Sequence, residues 1–173
     1  MNPKTFRPIQ ASCASGPWLL PQPALWASSE TVVKTAVSSY GARDWPRLFA
    51  DLGLAQASNI YGVVRHDTLE AFDPPMVDVH VMHGIGVPTA ASYEYGGNFS
   101  AGVLPSPPLR TATEDGDGTV NTRSLRRAAD EWTVGKNGGK LVQTLVFANQ
   151  SHFGLLKDKS ALQQLLAIVL SHK

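Results

Sequence analysis

Three side chains in this sequence have the types and spacing for acid–base chemistry: Asp115 and Asp117 in the stretch Glu114-Asp115-Gly116-Asp117-Gly118-Thr119-Val120-Asn121, and His152, which follows Asp117 by 35 residues. An aspartate just beyond a strand can accept a hydrogen bond from the Nδ1–H of a histidine. That bond fixes the tautomer and stabilises the imidazolium as it forms. The histidine's other nitrogen can then take a proton from a hydroxyl nucleophile and return it to a leaving group. Gly116 and Gly118 would let the backbone turn sharply around Asp117. From spacing alone, a capping turn and a surface histidine account for these residues equally well.

Two other chemistries fit the same turn. Asp115-Gly116-Asp117-Gly118-Thr119 matches the DxDGT opening of haloacid-dehalogenase-type phosphatases, in which the first Asp is the nucleophile, the second an acid/base, and magnesium sits beside them. That motif should follow a buried hydrophobic strand near the chain start, and Pro108-Leu109-Arg110-Thr111-Ala112-Thr113 reads as a poor strand. For a calcium loop, Asp117 at position 5 puts Gly118 at position 6 but places Thr113 and Ser124 at the two ends, where carboxylates are needed. His80 and His83 flank a strand end without a third spacing-matched ligand and read as packed or hydrogen-bonded there; His66 and His172 read as surface residues.

The elements that must position these groups follow from the hydrophobic pattern. Val77 to Met82 reads as a strand of the main sheet, left by a loop carrying Gly84, Gly86 and Pro88; Tyr93 and Tyr95 begin an edge hairpin, and Gly96 to Arg110 is a long loop that includes Pro105. Asn121 or Thr122 can cap a helix through Trp132 with Leu125, Ala128, Ala129 and Trp132 inward, and Arg123, Arg126 and Arg127 on a solvated face. Leu141 to Phe147 is the next strand, the loop Ala148 to Phe153 carries His152, and Lys159 to Ser171 is a helix with Leu162, Leu165, Leu166 and Val169 inward. Strand, helix, strand, helix predicts an α/β sheet covered by helices, with ligands at the carboxyl strand ends.

Upstream, Glu30 to Val37 reads as a strand, Asp44 as the cap of a helix over Trp45 to Leu52 ended by Gly53, and Leu54 to Leu69 is ambiguous before the Pro74-Pro75 break. Residues 1–30 are rich in proline yet carry Trp18 and Trp26, so they cover a core or form a hydrophobic lip near an acyl substrate.

A net charge of +1 without a basic run gives no footprint for nucleic acid. Cys13 stands alone, which rules out an intrachain disulfide and a cysteine-based zinc site. Met1 to Gln10 lacks a signal-peptide core, and Leu162 to Leu170 is too short to span a bilayer; the compartment is left open.

Several stretches together resemble the C-terminal portion of the lecithin:cholesterol acyltransferase family, and most of all its lysosomal phospholipase A2 branch. They are Trp18-Leu19-Leu20-Pro21, Tyr40 through Asp44, Leu48-Phe49-Ala50-Asp51-Leu52-Gly53, Pro74-Pro75, His80 to Pro88, Tyr93-Glu94-Tyr95, Asp115 to Asn121, and Ser151-His152. The resemblance implies an α/β-hydrolase fold, here its C-terminal part, a mostly parallel sheet flanked by helices, with part of the cap region. Residues 1–40 would be a cap-derived, irregular segment returning to the core, and 41–173 the core portion. Asp117 matches the triad Asp and His152 the triad His, with Asp115 as the neighbouring turn residue. No cofactor or metal is implied. The implied substrate is a phospholipid or other acyl-lipid, with transient contact at a membrane surface.

The pattern departs from the family in two ways. No G-x-S-x-G nucleophile elbow occurs in these 173 residues, so the resemblance implies a missing N-terminal hydrolase half, without which a long apolar edge would be exposed. The lysosomal branch pairs two cysteines at the positions of Val81 and Ala128; both are absent here, as in a core packed without that bridge.

Overall fold

The computed structural model describes residues 13, 15–65, 72–101, 103 and 106–171. His66, His172, Pro105, the leader reading of Met1 to Gln10 and the last part of the ambiguous 54–69 stretch lie outside them. The chain forms two compact units: residues 1–72 with 92–112, and residues 73–91 with 113–173.

The first unit holds the hydrophobic core. A short helix α1 (Ser15–Trp18) and the strands β1 (Val33–Lys34) and β2 (Ser39–Tyr40) precede the helices α2 (Trp45–Asp51) and α3 (Ala55–Val64). Trp45, Leu48 and Phe49 recur at helical spacing and are buried, as the periodicity predicts. Trp26, Val32, Tyr40, Ala57, Tyr61 and Val64 complete the cluster. Two of its polar side chains are anchored by hydrogen bonds: the Trp45 indole donates to the Pro21 carbonyl at 2.9 Å, and the Tyr40 hydroxyl donates to Asp51 at 2.6 Å. Burial, then that bond to Asp51, pushes the Tyr40 phenol up.

Several expectations change in this unit. Trp26 is core, so only Trp18, half exposed, remains for a hydrophobic lip. The strand expected over 30–37 shrinks to β1, because the chain reverses at Thr35–Ser38, where the Thr35 hydroxyl accepts the Ser38 N–H, and β2 pairs back antiparallel. Asp44 makes no side-chain cap on α2; its carboxylate accepts the Gly41 N–H instead. The ambiguous stretch resolves as α3, with Ala57, Tyr61 and Val64 on the buried side.

The second unit carries β3 (Val79–Ile85) and β6 (Val142–Ala148), paired in parallel register from Val79↔Val142 to Ile85↔Ala148. Asn137, fully buried, fixes the start of this pair by accepting the Met76 N–H and donating to the Val77 carbonyl. Between β3 and β6 lie β4 (Thr89–Glu94), β5 (Arg110–Glu114), α4 (Thr122–Leu125) and α5 (Arg127–Glu131); α6 (Lys159–Ser171) follows β6. The unit boundary falls inside β4, after Ala91, and inside β5, after Ala112.

Among the described strands the order is β2-β1-β4-β5 in one sheet and β3-β6 in another, with β1–β2 antiparallel and β1–β4 parallel. The architecture is therefore α/β with helices flanking mixed strands, and the expectation of a mostly parallel sheet is corrected. Tyr93 lies within β4, which pairs parallel to β1 and is hydrogen-bonded on its other side to β5, the next strand along the chain and the edge of this sheet. Arg110–Glu114 does form a strand, but a solvent-exposed one, which differs from the buried strand that a phosphatase motif requires.

Three helical expectations also shift. The helix expected through Trp132 divides at Arg126 into α4 and α5. Arg127 is buried against Glu131 at 2.8 Å, Arg123 pairs with Glu114, and of the three arginines only Arg126 has the solvent-facing position predicted for all of them. Helix α6 matches its expected bounds, and Asp158 caps it by accepting the Ala161 N–H at 2.9 Å. Its intended inner face is open, with Leu165 at 47% and Leu166 at 57% exposed.

Candidate active site

The acidic turn after β5 and the loop after β6 bring Asp117 and His152 together in the second unit. His152 Nδ1 lies 2.8 Å from Asp117 Oδ2. A carboxylate only accepts, so Nδ1 carries a proton, and in the neutral ring Nε2 then presents the lone pair. The His152 backbone N–H also donates to the Asp117 carbonyl at 2.8 Å, so the two residues are tied at both side chain and main chain. The aspartate is buried, with 4% of its side chain exposed, whereas the histidine side chain is 41% exposed. One partner is thus fixed in the interior and the other faces outward, packed edge-on against the Phe153 ring at 5.3 Å.

The turn aims Asp117 through its own backbone. Oδ1 accepts the N–H groups of Val120 at 2.8 Å and Thr119 at 3.0 Å, which leaves Oδ2 for the imidazole. Burial pushes the Asp117 carboxyl up, but the bonds from Val120, His152 and Thr119 outweigh it and hold the pKa below its usual value. Gly118 sits at φ +84°, a conformation that glycine adopts without strain.

Asp115 has a separate task. Its carboxylate accepts the Thr122 hydroxyl at 2.6 Å and the Gly86 N–H at 2.8 Å, joining the loop after β3 to the start of α4. The Thr122 hydroxyl first, and then the Gly86 N–H, hold its pKa low. The carboxylates of Asp115 and Asp117 are therefore both committed to hydrogen bonds within the turn and its neighbours. Among the described residues no three His, Cys, Asp or Glu side chains converge as a metal-ligand set.

His83 is buried in β3, its Nδ1 3.3 Å from the Gly84 carbonyl, as the packed reading expected. On the far side, Ser151 holds the His152 loop by accepting the Gly154 N–H, and Gln150 donates to Asp158, the cap of α6.

Sequence reasoning singled out Asp117 and His152, and the structure brings them together. It did not single out Thr89, whose hydroxyl accepts the Gly118 N–H at 2.8 Å. The signal available was a threonine directly after Val87-Pro88, where a strand restarts beside the acidic turn.

An aspartate buried behind an outward-facing histidine in an α/β chain is consistent with a catalytic pair that lacks its nucleophile. The chain is 31% identical over 173 residues to the lysosomal phospholipase A and acyltransferase of Rattus norvegicus and 30% identical over 173 residues to that of Homo sapiens, in each case with 98% of this chain and 39% of the relative covered. It is 29% identical over 161 residues to the phosphatidylcholine-sterol acyltransferase of Mus musculus, covering 93% of this chain and 35% of the relative. No protein-family model matches it. Over nearly its whole length the chain is homologous, at 29–31% identity, to the lecithin:cholesterol acyltransferases and the lysosomal phospholipases A. It spans about two fifths of the length of the curated relatives it matches.

Proposed function

We propose that this chain is the C-terminal, Asp–His-bearing portion of a lipid O-acyltransferase or phospholipase A-type acyl hydrolase. The single observation that carries this reading is the 2.8 Å bond between His152 Nδ1 and Asp117 Oδ2, with Asp117 buried and His152 outward. In the complete enzyme a serine supplied by the N-terminal half attacks the phospholipid ester carbonyl. His152 Nε2 takes the serine proton and gives it to the departing lysophospholipid alcohol, leaving an acyl-serine. An alcohol or water then gives up its proton to Nε2 as it attacks the acyl carbonyl, the acyl–serine bond breaks, and Nε2 passes that proton to the departing serine oxygen; with an alcohol the outcome is transfer, with water hydrolysis. Asp117 holds the Nδ1–H tautomer throughout and stabilises the imidazolium formed in each half-reaction. Residues 1–40 serve as the cap-derived return and 41–173 as the core portion.

The substrate class is a phospholipid or another acyl-lipid, met at a membrane surface. Exposed Trp18 and Leu19 supply an apolar contact consistent with that role. No helix among the described residues is long and apolar enough to cross a membrane.

Because no G-x-S-x-G occurs in the 173 residues, the purified chain is expected to show no esterase turnover with a short-chain p-nitrophenyl ester. Turnover that disappears in His152→Ala would show that the nucleophile is in this chain after all. A second reading, a non-catalytic interaction module, is favoured by the open apolar face of α6, and the same assay on a longer product separates the two.

A further inference from the structure

Thr89 begins β4 and is only 1% exposed. Its hydroxyl accepts the Gly118 N–H at 2.8 Å and donates to the Val87 carbonyl at 2.9 Å. Val87 in turn donates its N–H to the Gly116 carbonyl at 3.0 Å and forms an isolated parallel bridge with Asp117. The peptides on either side of Asp117 are therefore both anchored to residues 87–89. The contact is also tight: a Cβ added at Gly116 would lie 2.4 Å from Thr89 Oγ1, closer than two such atoms can approach.

We propose that Thr89 is a positioning residue for the Asp117–His152 pair. Its hydroxyl, by holding the Gly118 N–H, fixes the turn so that Asp117 Oδ2 stays on His152 Nδ1. The inference rests on the proposed role of that pair and adds a third member that acts only through Asp117. Valine in place of Thr89 keeps the shape but loses both bonds, leaving the Gly118 N–H and the Val87 carbonyl without this partner; the turn then relaxes and carries the carboxylate off Nδ1. Serine keeps the hydroxyl.

The test is the tautomer of the His152 imidazole, read from its ring-nitrogen resonances in the full 173-residue chain at neutral pH. The expected result is a dominant Nδ1–H form in the native chain and in Thr89→Ser. In Thr89→Val the tautomer ratio should fall roughly threefold to tenfold, the weight of one hydrogen bond. A folded Thr89→Val chain with an unchanged ratio overturns the proposal, because a merely structural threonine would lower stability and leave the tautomer alone. Asp117→Asn separates the two levels. If it moves the ratio and Thr89→Val does not, Thr89 alone is misassigned; if Asp117→Asn also leaves the ratio unchanged, the reading of the pair fails and Thr89 with it. Should Thr89→Val not fold, hydrogen exchange at the Gly118 amide of the native chain decides. Protection well above that of exposed Gly97 supports the bond, and equal exchange overturns it.

Discussion

Asp117 was legible from the sequence because a carboxylate between two glycines, 35 residues before a histidine, is a chemical pattern as well as a structural one. Asp115 was legible only as a neighbour. Its actual partners, Gly86 and Thr122, lie 29 and 7 residues away, and a side chain-to-backbone bond across that distance leaves no mark on spacing. Two expectations belong to this scale. Asp117→Asn removes the charge that three donors address, and it should cost about 1–3 kcal/mol in urea unfolding at neutral pH. The pH dependence follows from the direction of the shift. The folded Asp117 carboxyl titrates below its unfolded value near ~3.9, so its contribution is complete above that value and is lost as pH falls through the folded pKa. Acid unfolding below about pH 4 should therefore be shallower in Asp117→Asn than in the native chain, as read by circular dichroism at stepped pH.

Helices and strands were legible where period and burial agreed. Trp45, Leu48 and Phe49 marked α2, and Leu141, Val142, Leu145, Val146 and Phe147 marked β6 to within a residue. The sequence failed where tertiary contacts decide. Arg127 shares a charged cluster with Arg123 and Arg126, yet it is buried because Glu131, one turn on, reaches its guanidinium. Helical spacing shows that the two can meet and does not show on which side of the helix. Glu131→Gln removes the carboxylate charge 2.8 Å from the buried guanidinium and should lower stability by roughly 1–3 kcal/mol, whereas Asp130→Asn, which breaks the exposed Arg126 pair, should change it by less than about 0.5 kcal/mol. Chemical denaturation of the two variants side by side checks the contrast. The turn at Thr35–Ser38 was missed for a related reason: a single threonine hydroxyl reverses the chain inside a run of β-branched residues.

For the whole chain, the α/β class and the family resemblance were legible, and the mixed strand pairing and the packing of α6 were not. Amphipathic spacing says that a face wants cover; it does not say whether the cover is present. Leu162, Leu165, Leu166 and Val169 are all about half exposed. Leu166→Glu with Val169→Lys should therefore cost less than about 1 kcal/mol and reduce self-association in sedimentation, whereas a loss of several kcal/mol would show that the face is covered in solution. The central claim is that Asp117 and His152 are the acid and base of an acyl transfer whose nucleophile lies outside these residues. Its most direct test is a chimera in which this chain replaces the matching two fifths of the rat lysosomal phospholipase A and acyltransferase, assayed for release of fatty acid from phospholipid vesicles. The account predicts measurable turnover that His152→Ala lowers by about a thousandfold or more, and Asp117→Asn by a comparable factor; an active chimera in which both substitutions leave turnover unchanged would contradict it.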